Sequence, residues 1–127
     1  MKDYRALSKM PRLLELFSGT GSVGRSFRDI GWDVTSIDID PKSRATIITD
    51  VGVWNHTVHE PGHFDCVWAS PPCTHYSLAR SRAIIPRDME ASDRLVQKVL
   101  DIIAYHTPGS WFIENPQTGY LKGRAVV

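Results

Sequence analysis

The 127 residues include only two cysteines, Cys66 and Cys73, too few for a disulfide scaffold and in keeping with a reducing, cytoplasmic setting. Neither sign of charge is in real excess. Fifteen Lys+Arg stand against fourteen Asp+Glu, and a net +1 points by itself to neither nucleic acid nor membrane. No apolar run approaches the roughly 18 residues that a bilayer span needs. The opening MKDYRALSKMPR lacks the apolar core of a signal peptide, and there is no internal repeat or low-complexity tract. What is present is globular: 42% apolar and 23% charged residues, on a chain sized for one domain. Such a chain can bury roughly two thirds of its unfolded surface, so it needs no metal or disulfide staple.

Periodicity then divides the chain. Residues 13–17 form a short apolar run that breaks into Ser18-Gly19-Thr20-Gly21-Ser22, which reads as a buried strand entering a glycine turn. Val23, Phe27 and Ile30 recur at helical spacing, and Gly31 is a stop. A second strand spans residues 32–39 and closes at Asp40-Pro41; a third spans 45–50, with few residues before it for a crossover helix. Residues 64–69 make a fourth, which runs into Ser70-Pro71-Pro72-Cys73, where two prolines forbid a continuing ladder. Leu95, Val99, Ile102 and His106 mark the strongest helical stripe, with Asp88 or Ser92 as its cap, and residues 110–114 make a fifth strand. Strands alternating with helices predict an α/β, Rossmann-like, mostly parallel sheet in a single domain. In such sheets ligands bind beyond the carboxyl ends of the strands. The polar motifs all fall at such ends, so one shared site is predicted.

Each motif admits specific chemistry and a plainer alternative. Gly19-x-Gly21-x-x-Gly24 lets the backbone turn tightly and offers helix N–H groups to an anionic ligand. Asp38, nineteen residues beyond Gly19, sits where an acid commonly holds ribose hydroxyls. This spacing suits a nicotinamide dinucleotide as well as any other adenosine-bearing cofactor. Glu15, an acid inside a buried strand, points away from a plain dinucleotide fingerprint. The Ser-Pro-Pro turn presents the Cys73 thiol in one direction. Arg80, Arg82 and Arg87 follow it without an intervening acid and could lower its pKa; a small buried cysteine beside a solvated arginine loop is the alternative. Glu114, at the end of an apolar strand, is expected to be partly desolvated with a raised pKa, or else simply caps a turn. His56, His59, His63, Cys66, Cys73 and His75 lack the tight paired spacing of zinc sites, and no metal is predicted.

Taken in order, Leu14-Glu15-Leu16-Phe17-Ser18-Gly19-Thr20-Gly21-Ser22, Ser70-Pro71-Pro72-Cys73 and Phe112-Ile113-Glu114-Asn115 resemble the motifs of the cytosine-C5 DNA methyltransferases. The resemblance covers nearly the whole chain. It implies S-adenosylmethionine as cofactor, held in a fold of the S-adenosylmethionine-dependent methyltransferase type. Phe17, Ser18, Gly19, Thr20, Gly21 and Ser22 would surround the cofactor, Asp38 would hold its ribose, and Ile39 would lie against the adenine. Asp50 and Val51 match the acid–apolar pair at the adenine ring, and Leu95 and Pro72 fall at further cofactor positions. Cys73 matches the nucleophile and Glu114 the acid that acts on the base. Ser77, Arg80, Arg82 and Arg87 would contact DNA, the implied partner.

This sequence departs from the family pattern in several places. Thr74 stands where Gln is usual, Pro116 stands where an apolar residue follows Glu-Asn, and the helix between the second and third strands is largely absent. These departures suggest a compact, divergent branch such as phage-encoded members. The chain stops thirteen residues after Glu114, so the sheet is expected to end at the fifth strand with the target-recognition region absent. A homodimer, or a chain supplying that part, would then complete the protein. The rivals are an amino-methyltransferase acting on cytosine N4 or adenine N6 through Ser-Pro-Pro, and a non-catalytic cofactor-binding half. An NAD-linked dehydrogenase is disfavoured because no substrate domain is evident.

Overall fold

The computed structural model describes residues 10–72 and 86–114, with side chains of the last stretch from residue 93 onward. Among the described residues there are five strands: β1 (Arg12–Leu16), β2 (Asp33–Asp38), β3 (Ile47–Ile48), β4 (Cys66–Ala69) and β5 (Ser110–Ile113). They form one sheet in the order β3-β2-β1-β4-β5, and every pairing is parallel. Among the described residues two helices cover it, α1 (Ser22–Asp29) and α2 (Pro86–His106). The chain builds outward from β1 to β3, then crosses to the other side of β1 to place β4. The carboxyl ends of β1 and β4 therefore flank the point where strand order reverses, which is where open α/β sheets form their ligand crevice.

Burial on both faces explains the near-continuous apolar reading of β1. Leu13, Leu14 and Leu16 are fully buried, as expected for a central parallel strand. Alternation splits them. Leu14 and Leu16 join Ile37, Val67, Ala69 and Ile113 against Val96, Val99, Ile102 and Ile103 in the larger core cluster, while Leu13, Val34 and Cys66 pack with Phe27, Trp32 and Trp68 on the other face. The helical stripe read from the sequence is thus the core face of α2, and Cys66 is a core residue. Among the described residues no helix is long and apolar enough to cross a membrane.

Three local expectations are corrected. Ile30 lies past the end of α1 and is 73% exposed. The chain leaves the helix there and turns at Gly31, with φ of +94°, so Trp32 takes the place against Phe27, ring centroids 5.0 Å apart. Asp88 and Ser92 lie inside α2 and do not cap it; the helix begins at Pro86, whose fixed φ and missing N–H suit a first helical position. The third strand shrinks to two residues, and only a single 3-10 turn (Pro41–Ser43) stands in the β2–β3 crossover.

Candidate active site

At the end of β1 the chain turns sharply. Phe17 adopts φ of +59°, a left-handed conformation costly for a bulky residue and the kind of strain that gathers at functional sites. Gly19 and Gly21 follow at φ of +55° and +81°, and Gly21 caps α1 without any side-chain hydrogen bond. The first turn of α1 holds no acid. Of its first-turn N–H groups that of Gly24 goes to the Glu15 carboxyl, while the glycine cap takes none of the others, and the Ser18 hydroxyl is buried without a hydrogen-bond partner. Unused donors beside a glycine turn suit the polar, carboxylate-bearing end of an amino-acid-like ligand.

Asp38, at the end of β2, ties this loop to the next strand. One carboxylate oxygen accepts from the Gly19 N–H at 2.7 Å and the other from the Asp40 N–H at 2.8 Å. Each oxygen retains a lone-pair site for a hydroxyl donor. Beside it lies a cavity of about 480 Å³ lined by Phe17, Asp38, Ile39, Asp50, Val51, Ser70, Pro72 and Leu95. That volume suits a nucleoside-sized ligand. Its walls are mostly apolar, with two carboxylates for the polar groups of such a ligand, and Ile39 is 65% exposed, an apolar side chain free to cover a flat ring.

The fold therefore gathers seven of the predicted cofactor residues, Phe17, Asp38, Ile39, Asp50, Val51, Pro72 and Leu95, around one cavity. Ser18, Gly19, Thr20, Gly21 and Ser22 do not line it but adjoin it through the Gly19–Asp38 bond. Ser70 was legible only as part of the proline turn. Its hydroxyl donates to Glu114 Oε1 at 2.9 Å, while the Glu114 N–H bonds the Ala69 carbonyl at 2.8 Å, so the ends of β4 and β5 meet at the cavity. Glu114 itself is exposed, against the expectation that it would be partly desolvated, because it ends the outermost of the described strands. Cys73, Ser77, Arg80, Arg82 and the side chain of Arg87 lie outside the described residues.

Glu15 takes no part in the cavity. It is 2% exposed, and one of its oxygens has no hydrogen-bond partner. Burial raises its pKa, opposed by a hydrogen bond from the Gly24 backbone and by Arg28 and Arg25. A Cβ on Gly24 would sit 2.5 Å from this carboxyl and 3.2 Å from Val34 Cγ1, so the third glycine is what lets α1 close over Glu15. A carboxyl whose folded value lies above its unfolded 4.5 stays protonated in the fold after the unfolded chain has ionised. Its contribution to stability is full below about pH 4.5 and is lost as pH rises through the raised value. Glu15→Gln, neutral at all pH, is expected to gain stability over wild type as pH climbs through that window. Urea unfolding of both proteins from pH 4 to 8 checks this, and a gap independent of pH would refute it.

His56, His59, His63 and His106 form a structural group at the opposite end of the sheet. His59 and His63 stack at 4.2 Å between ring centroids, and the buried His106 places Nε2 2.9 Å from the His56 carbonyl. Among the described residues no three His, Cys, Asp or Glu side chains are grouped to hold a metal ion. Cys73 and His75 lie outside those residues.

No family model matches the sequence. The chain is, however, 35% identical over 123 residues to the probable DNA (cytosine-5)-methyltransferase of Frog virus 3 (isolate Goorha), an alignment covering 87% of this chain. It spans 56% of that protein's length. Over most of its own length the chain is thus similar to a probable DNA (cytosine-5)-methyltransferase.

Proposed function

We propose that the chain carries the cofactor-binding and catalytic part of an enzyme that methylates C5 of cytosine in DNA. The observation that supports this most strongly is the cavity at the strand ends, walled by Phe17, Asp38, Ile39, Asp50, Val51, Pro72 and Leu95, with the Ser70–Glu114 hydrogen bond at its edge. S-adenosylmethionine, when bound, supplies an electrophilic methyl group on its sulfonium. Asp38 holds the ribose hydroxyls, and Ile39, Val51 and Leu95 enclose the purine. The free N–H groups at the start of α1 take the carboxylate of the amino-acid tail.

C5 of cytosine is a poor nucleophile. Addition of the Cys73 thiolate to C6, with the proton of Glu114 delivered to or shared with N3, gives the ring enamine character and directs electron density to C5. Once C5 carried the methyl group, with S-adenosylhomocysteine as the leaving group, loss of the C5 proton to water would re-form the C5–C6 double bond and expel Cys73 as its thiolate. The base must leave the duplex to reach these groups. Arg80, Arg82 and Arg87 meet phosphates along the strand. So few cysteines fit a cytoplasmic setting.

Titration calorimetry tests the cofactor half of this reading. The chain is expected to bind S-adenosylmethionine and S-adenosylhomocysteine in preference to NAD. Asp38→Ala removes the ribose acceptor and also frees the Gly19 N–H, so binding should weaken by about 1.5–3 kcal/mol, roughly ten- to a hundredfold. Tight NAD binding with no heat from S-adenosylmethionine would overturn the assignment.

A further inference from the structure

Asp50 and Val51 form one wall of the cavity. On its outer side lies a second hollow of about 370 Å³, and Asp50 and Leu95 line both hollows. Val51 and Trp54 anchor the turn by burying their side chains in the core. Such anchors resist withdrawal of the turn but do little to fix the rotation of its peptide planes. Backbone contacts must do that. Asp50 contributes one, its Oδ1 accepting from the Gly52 N–H at 2.8 Å.

Within the turn, the Val53 and Trp54 N–H groups also donate to the Asp50 carbonyl, both at 3.0 Å. Lys98 supplies the side-chain grip from outside the turn, on carbonyls that those bonds leave largely free. It stands one helical turn after Leu95 on α2, and its Nζ donates to the carbonyls of Val51 at 2.9 Å, Gly52 at 3.2 Å and Trp54 at 2.8 Å. All three of its N–H donors are thereby used on a turn some 46 residues away in sequence. Three carbonyl dipoles converging on one point repel each other, and a cation at that point reverses the sign of the interaction. Burial pushes the Lys98 pKa down, while Asp50 and Asp101 support its charged form. Arginine would not reproduce this contact, because a planar guanidinium cannot meet carbonyls arranged around a compact ammonium.

We propose that Lys98 is a positioning residue of the cofactor site: by gripping the carbonyls of residues 51, 52 and 54 it sets the stance of the Asp50–Val51 wall, and with it the affinity for the adenosine end of the cofactor. This rests on reading the cavity as the S-adenosylmethionine site. Lys98 touches no ligand in this account and acts through the wall alone.

Calorimetry with S-adenosylhomocysteine, on the full chain and well below each Tm, tests it. Lys98→Met keeps the apolar stem and removes the donors, and its Kd should rise about tenfold or more. Lys98→Gln, which keeps two N–H donors, should show a smaller rise and serves if the methionine variant fails to fold. Ile102→Val is the control, since it thins the fully buried core face of the same helix, in the cluster that holds Val51 and Trp54, while leaving the three carbonyl contacts of Lys98 in place. It should lower Tm without changing Kd. A Lys98 variant that binds like wild type, or an Ile102→Val chain that loses affinity in proportion to its Tm, would overturn the positioning role. Absence of S-adenosylhomocysteine binding by the wild-type chain would instead overturn the cofactor reading on which that role rests.

Discussion

Cys73→Ala is expected to abolish DNA methylation, together with the covalent adduct formed on 5-fluorocytosine DNA, while Cys66→Ala retains both. The experiment needs a form of the protein that methylates DNA. Fluorine at C5 cannot depart as the proton does, so a thiolate that has added to C6 stays attached and the complex survives denaturation. The two thiols differ in kind. Cys66 lies in β4, 2% exposed, and burial pushes its thiol pKa up, opposed by a hydrogen bond with Ser110 and reinforced by Asp65. It therefore stays protonated and packed. Cys73 follows the Ser-Pro-Pro turn that borders the cavity. Full activity in Cys73→Ala would rule out the C5 mechanism and favour direct amino methylation, which forms no adduct.

The elements that could be read from the sequence were those written in local pattern. An apolar run ending in glycines located β1 and the loop, and the nineteen-residue step to Asp38 reflects one β–α–β unit, which the Gly19–Asp38 hydrogen bond closes. The helical stripe from Leu95 to His106 was legible because α2 has one face on the core. Element ends were less so. Val23, Phe27 and Ile30 share a helical phase, but phase does not say that the helix ends one residue short of Ile30.

Long-range contacts were not legible at all. Ser70 meets Glu114 across 44 residues, and Lys98 meets Val51 across 47. No periodicity encodes such pairs; they exist because β4 and β5 are neighbours and because α2 passes behind the 50–54 turn. Glu114 shows the converse error. An apolar strand suggests a desolvated end, yet β5 is the outermost described strand and its carboxyl end opens to solvent.

That exposure sharpens what Glu114→Gln should do. In the chain without substrate the carboxylate stands in the open, held from one side by the Ser70 hydroxyl at 2.9 Å and fixed through its own N–H to Ala69. A flipped cytosine would shut out the water around it, and the group would then meet N3 in a drier site where a shared proton is worth more. Glutamine keeps the shape, and its carbonyl oxygen still accepts from Ser70, so the β4–β5 junction should remain intact. It can donate an N–H to N3 but cannot deliver a proton. The charge that Cys73 addition drives onto the ring is then less well stabilised, and methyl transfer should slow by about a hundredfold or more, the usual size of a lost acid–base contribution. Because Glu114 is not among the residues lining the cavity proposed for the cofactor, the Kd for S-adenosylhomocysteine should be unchanged. Single-turnover methylation and calorimetry on the same preparation separate the two effects. A Glu114→Gln chain that transfers methyl at the wild-type rate would remove Glu114 from the chemistry, and one that loses cofactor affinity in step with rate would recast it as part of the cofactor wall.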